Sequence, residues 1–155
     1  MASVEYGIEV GVPVRTAYNQ WTQFEEFPGF MEGVKSVSQV DDKHLHWVAE
    51  IAGVEREWDA EITEQIPDER IAWRSTSGPT NAGVVTFHHL EEGRCKVMLQ
   101  MEVEADDAMA KVADFLGIVE RKTKGDLVRF KEHIESRGTE SGAWRGEIEQ
   151  EKKAG

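Results

Sequence analysis

The sequence predicts an α+β fold in which a seven-stranded antiparallel sheet lays one face against a long C-terminal helix. Three observations lead there. Apolar residues recur at every second position from Val34 to Val103, after a stretch in which they recur at every third or fourth. Turn chemistry cuts that span five times, at Asp41-Asp42, Ala52-Gly53, Pro67-Asp68, Gly78-Pro79 and Glu92-Gly93. A last apolar stripe then runs at helical spacing from Val112 to Ile134.

The first element, Ser3 to Val12, alternates loosely and stops at Pro13, as a strand does. Val14, Ala17, Tyr18, Trp21, Phe24 and Phe27 then form one helical face, which Pro28-Gly29 ends or breaks. In the alternating span, Leu45, Trp47, Ala49 and Ile51 share one face, with His44, His46 and Glu50 on the other. Trp58, Ala60 and Ile62 repeat the pattern against Glu57, Asp59 and Glu61, and Ile71-Trp73-Ser75, Gly83-Val85-Phe87 and Cys95 to Val103 continue it. Six consecutive strands with one polar face describe an antiparallel meander solvated on its outer side. The final helix runs from Ala108 to Arg137, with Asp106 and Asp107 at its positive end and Gly138 as its stop. Its apolar stripe needs a large apolar surface, and the inner face of the sheet is the one on offer. Residues 1–138 read as a single domain, and 139–155 as a polar tail ordered no further than Trp144.

Composition narrows the function. The chain has 155 residues, 39% hydrophobic and 31% charged, which is a globular composition of one-domain size. A formal net charge of −12 repels phosphate backbones and anionic lipid, so nucleic acid is not an expected partner. Solubility or a salty habitat accounts for that acidity. The lone Cys95 cannot form an internal disulfide and lies in an apolar alternation, as a packed core thiol would. The N-terminal MASVEYGIEVGVP has no basic start followed by an apolar run, and no stretch reaches the roughly 18 apolar residues of a membrane span. Cytoplasmic location without membrane insertion is the expectation.

The order of elements resembles the helix-grip fold of the START-like superfamily, and within it the bacterial polyketide cyclase/dehydrase branch. The residues that carry the likeness are AYNQWTQFEEFPGFM at 17–31, LHWVAEIAGVEREWDAEITEQIPDERIAWRS at 45–75 and DLVRFKEHIESRG at 126–138. With the spacing between them, they cover nearly the whole chain to Arg137. The superfamily includes the major birch pollen allergen, lipid-transfer START domains, coenzyme Q-binding proteins and aromatic polyketide cyclases. The resemblance implies a curved sheet and a cavity between its concave face and the long helix. Parity puts Trp47, Trp58, Trp73, Phe87, Leu99 and Met101 on the inner face, with Val119 and Phe130 opposite. Such residues suit a pocket for a small hydrophobic molecule. They also suit a filled core, since three tryptophans on neighbouring strands are bulky enough to close a cavity.

Three polar residues interrupt the inner face: Thr123 and Asp126 on the helix, and Ser75 on the sheet. Each needs a partner, because a buried polar group left unpaired costs about 1–3 kcal/mol. Either a ligand oxygen supplies it, or Thr123 bonds back to a helical carbonyl and Asp126 pairs with Arg129 or Lys122. Gly125, inside the helix, suggests a close approach to the sheet.

His44, His46 and His88 point outward, and in the family's strand order the two segments lie about 14 Å apart, too far for one metal ion. Nearly all of Glu50, Glu57, Asp59, Glu61 and Glu64 fall on the outer face beside Arg56, Arg70 and Arg74, as cross-strand ion pairs would. No catalytic triad, phosphate-cradling loop, metal-ligand spacing or cofactor motif appears.

Phe27, Phe30 and Met31 in FEEFPGFMEGV lie near the cavity mouth in the family's architecture, where they gate it or tuck onto the rim. Three readings follow. The leading one is a binder or carrier of a small hydrophobic molecule, lipid- or polyketide-like. A cyclase or dehydratase would use Thr123, Asp126 or Ser75 to steer enolate or proton chemistry. An interaction module would have a collapsed pocket and present the FPGF loop or the Trp144 tail. Ligand identity, catalysis and oligomeric state stay open at this level.

Overall fold

The computed structural model of the protein describes residues 2–51 and 53–149. Seven strands form one antiparallel sheet: β1 (Ala2–Val10), β2 (Val34–Gln39), β3 (His44–Ile51), β4 (Val54–Ile66), β5 (Arg70–Ser75), β6 (Asn81–Glu91) and β7 (Arg94–Val103). Their order is β1-β7-β6-β5-β4-β3-β2, so the predicted meander occupies six positions and β1 closes against its last strand. Register shifts at Val34/Ser36, Ile62/Glu64 and His89/Glu91 add local twist, which helps the sheet curl. The alternation read from sequence is the observed one. Leu45, Ala49, Trp58, Ala60 and Ile62 are buried, while His44, Glu57 and Asp59 face out. Of the predicted turns, Ala52-Gly53 falls partly outside the described residues, and Gly53 itself sits at a φ of 81°.

The helices differ from expectation in their breaks. The first apolar face is shared by α1 (Val14–Trp21) and a 3-10 helix (Phe24–Gly29), with Pro28 inside the latter. The long helix is not continuous from Ala108. A single turn, α2 (Asp107–Ala110), is capped by the Asp106 carboxylate, which accepts the Met109 N–H at 2.9 Å. The chain then breaks, and α3 runs from Phe115 to Arg137. The break centres on Asp114, whose φ of 57° is left-handed and incompatible with a continuous helix. Met109 is buried on α2, whereas Val112 is half-buried and Leu116 exposed, so the stripe begins in earnest at Val119. Gly138 ends α3 in a left-handed conformation, its N–H bonded to the Ile134 carbonyl at 2.9 Å, as a C-terminal glycine does.

The segment after Arg137 is the second correction. It is not free beyond Trp144. Ser141 donates its N–H to Gln20 at 2.9 Å, and Trp144 donates its N–H to the Thr22 hydroxyl at 3.1 Å. Arg145 grips Asp68 with both terminal nitrogens, at 3.0 and 2.8 Å. Ile148 is buried and exchanges two backbone hydrogen bonds with Gln65, capping β4 where it extends past β3. The pairs span more than 75 positions of sequence, which local periodicity does not register. Residues 150–155 lie outside the described ones.

Candidate functional site

The inner face of the sheet is divided into a filled half and a hollow half. At the end where β1 finishes and β7 begins, Tyr18, Phe87, Val97, Phe130 and Ile134 are packed solid at 5% exposure or less. Tyr18 and Trp21 meet the Phe87 ring edge-on, with centroids 5.3 and 6.2 Å away, and Trp21 meets Phe130 at 4.9 Å. Towards the opposite end, where Ile51 finishes β3 and Asn81 starts β6, the packing opens into a cavity of about 130 Å³. The C-terminal half of α3 covers the filled part. Its N-terminal half, from Val119 to Asp126, covers the hollow part.

Eight of the ten predicted residues border that space: Trp47, Trp58, Trp73, Leu99 and Met101 from the sheet, and Val119, Thr123 and Asp126 from α3. Trp47 and Trp58 sit directly opposite on β3 and β4, their rings parallel within 3° and 5.9 Å apart. Trp73 is opposite Gly83, where a Cβ would fall 2.5 Å from the indole carbon Cζ2 and 2.8 Å from the Gln100 carbonyl. Only a glycine admits the indole so close to the β6 backbone. The tryptophans therefore wall the space without filling it.

Two predicted residues lie elsewhere. Phe87 belongs to the filled half, and the Ser75 hydroxyl accepts the Asn81 N–H at 3.0 Å, closing the β5–β6 turn. The wall also includes residues outside the predicted set, among them Trp21, Phe24 and Lys122. The helical face of VRTAYNQWTQF contains a signal for the first two, whereas the sequence places Lys122 only as a partner for Asp126. Phe27, Phe30 and Met31 are buried, so the FPGF segment is tucked onto the rim. The Arg129 Nε–H donates to the Phe30 carbonyl at 2.9 Å and ties that segment to α3.

The polar groups of the wall have partners in the protein. The Thr123 hydroxyl donates to the Val119 carbonyl at 2.8 Å, within its own helix. Asp126 accepts from Lys122 at 2.8 Å on one oxygen and from Arg129 at 2.7 Å on the other. Gly125 faces that cluster rather than the sheet: a Cβ there would lie 3.0 Å from the Arg129 guanidinium. The chemistry on offer is that of an apolar chamber with one ion-paired edge. Cys95 is remote from it, and burial pushes its thiol up to about 11, so it stays protonated near neutrality.

The outer face carries its own network. His46 bridges Asp59 at 2.7 Å and Glu57 at 2.6 Å. Hydrogen bonds to Asp59, and then to Glu57, hold its imidazole above the ordinary histidine range. Arg70 pairs with Glu64 at 2.6 Å, while Arg56 turns away from the sheet carboxylates to Asp106 at 2.6 Å, strapping β4 to α2.

A curled antiparallel sheet that grips a C-terminal helix defines the helix-grip class of START-like proteins. The family model for "Polyketide cyclase / dehydrase and lipid transport" matches residues 10–132. A 17.2 kDa Streptomyces lincolnensis protein from the melC2-rnhH intergenic region is 59% identical over 149 residues, 96% of this chain and 99% of the relative. Among solved structures, a START superfamily protein from Mycobacterium smegmatis superposes with a TM-score of 0.75 at 13% identity, over 88% of this chain and 99% of that one. The Zhui aromatase/cyclase from Streptomyces sp. R1128 does so with a TM-score of 0.72 at 18% identity, over 92% and 98%. The chain belongs to the polyketide cyclase/dehydrase and lipid transport family.

Proposed function

We propose that this protein binds a small, largely apolar molecule in the chamber between the tryptophan wall of the sheet and the N-terminal half of α3. The observation that carries the reading is the void itself. Protein interiors are close-packed, with few voids larger than a water molecule. A cavity of about 130 Å³ forgoes about 3 kcal/mol of packing. Next to it lies a half-core packed without such a gap, so the sequence could fill space and here does not. An apolar chamber of this size accommodates a ligand on the scale of one aromatic ring. A larger, polyketide-like guest would require the rim to move.

Membership of a family described by lipid transport agrees with this reading. The net charge of −12 supports a small molecule over nucleic acid as the partner. Among the described residues no helix is long and apolar enough to cross a membrane. We place the protein in the cytoplasm because its lone cysteine is buried and unpaired; recovery from the culture medium would overturn that placement.

The test is native mass spectrometry of gently purified protein, followed by titration with toluene while the tryptophan fluorescence is read. A bound lipophilic adduct, or saturable quenching, is the expected result. A bare mass together with no response to toluene would sink the reading.

A further inference from the structure

The chamber has one charged edge, and its composition is asymmetric. Lys122 is the only cationic side chain among the described residues that line the space. Its stem crosses from α3 towards the start of β2. A Cβ on Gly33, which sits at a φ of 87°, would lie 3.4 Å from Lys122 Cε and 2.9 Å from the Glu50 carbonyl. A side chain at position 33 would thus crowd the strip of rim that the lysine occupies. Asp126 is almost buried and both its oxygens are committed, one to Lys122 and one to Arg129, so it has little left for a cationic guest. The ammonium group has three N–H donors, and Asp126 takes one. Lys122, Asp126 and Arg129 together carry one net positive charge, which Arg129 shares with a second partner, Glu32, at 3.5 Å, whose side chain is 81% exposed to solvent.

We infer that the molecule held in this chamber is an amphiphile of one-ring size with an anionic head, a carboxylate, and that Lys122 anchors that head at the rim. The inference rests on the chamber being a binding site, as proposed above. A carboxylate pushed into an apolar wall without a cation would be strongly disfavoured, and Lys122 is the group placed to meet it. Asp126 keeps its Arg129 pair when Lys122 turns a second donor to the guest, so the anchor works without stranding a buried charge. Charge-assisted hydrogen bonds of this kind are about twice as strong as neutral ones.

The experiment compares phenylacetate with 2-phenylethanol, which share an apolar body and differ in the head group, by calorimetry and tryptophan fluorescence at pH 7. The wild-type protein should bind the acid about tenfold or more tightly than the alcohol. Lys122→Met should bring the acid down to the level of the alcohol while the alcohol keeps its affinity. Lys122→Arg should retain a preference for the acid. Equal binding of the two probes by the wild type, or an acid preference that survives Lys122→Met, would overturn the anchor and leave the chamber standing as a binding site. If neither probe nor toluene binds the wild type, the chamber reading falls and takes the anchor with it.

Discussion

Gly83 and Trp73 show how one absent methyl group shapes the chamber. Adding a Cβ at Gly83 places it against both an indole and the backbone of β7. Gly83→Ala should therefore cost about 1–3 kcal/mol in urea unfolding, as overpacking does. It should also push the indole into the void and weaken probe binding. Thr123 answers differently. Its hydroxyl is already spent on the Val119 carbonyl, so Thr123→Val should change stability by less than about 1.5 kcal/mol and leave probe affinity intact. On the outer face, His46 gains its carboxylate partners only on folding. Its folded imidazole titrates above the unfolded value of ~6.5, so its stabilising contribution is complete below that pH and fades as pH rises through the raised value. The stability gap between the wild type and His46→Gln should accordingly shrink from pH 6 to pH 9 in denaturant titrations. A gap that widened would contradict the assignment.

At the scale of elements, the C-terminal segment and α3 matter most. The segment after Gly138 buries Ile148, pairs it with Gln65 and pins Arg145 to Asp68, all on the side of α1 and the β4–β5 turn. Ile148→Ala should cost about 2 kcal/mol or more in unfolding free energy, a loss that an unattached tail would not show. The broken start of α3 has a consequence as well. Because the helix begins at Phe115, its first buried turn is the one carrying Val119 and Thr123, directly over the chamber.

For the molecule as a whole, the division into a packed half and a hollow half separates stability from binding. The packed half can be rigid because α3 is tied to β1 through the Glu135 carboxylate, which accepts the Gly11 N–H at 2.6 Å, and to the 3-10 segment through Arg129. The hollow half is where a guest adds contacts that the protein lacks. A probe at about a hundred times its Kd should stabilise the fold by about 2.7 kcal/mol, which for a chain of this size raises Tm by about 5–10 °C. Calorimetry with and without toluene checks this, and an unchanged Tm at saturation would mean the probe does not occupy a site specific to the folded state.

The sequence by itself determined the order of elements, the parity of each strand and the outward placement of His44 and His46. Those properties are local: a period of two or of three to four states which side chains face inward wherever the strand lies. Eight of its ten predicted residues border the chamber, since facing inward is most of what lining a chamber requires. It could not decide whether three tryptophans would close the space, because volume is a sum over side chains from β3, β4, β5, β7 and α3 that meet only in the folded protein. The break at Asp114 turned on one residue's φ, to which an apolar stripe is blind. The docking of Ile148 onto Gln65 joined positions too far apart for any periodicity to relate. Lys122 gained its place on the rim because the curl of the sheet brought β2 beneath α3, a juxtaposition that only the tertiary structure creates.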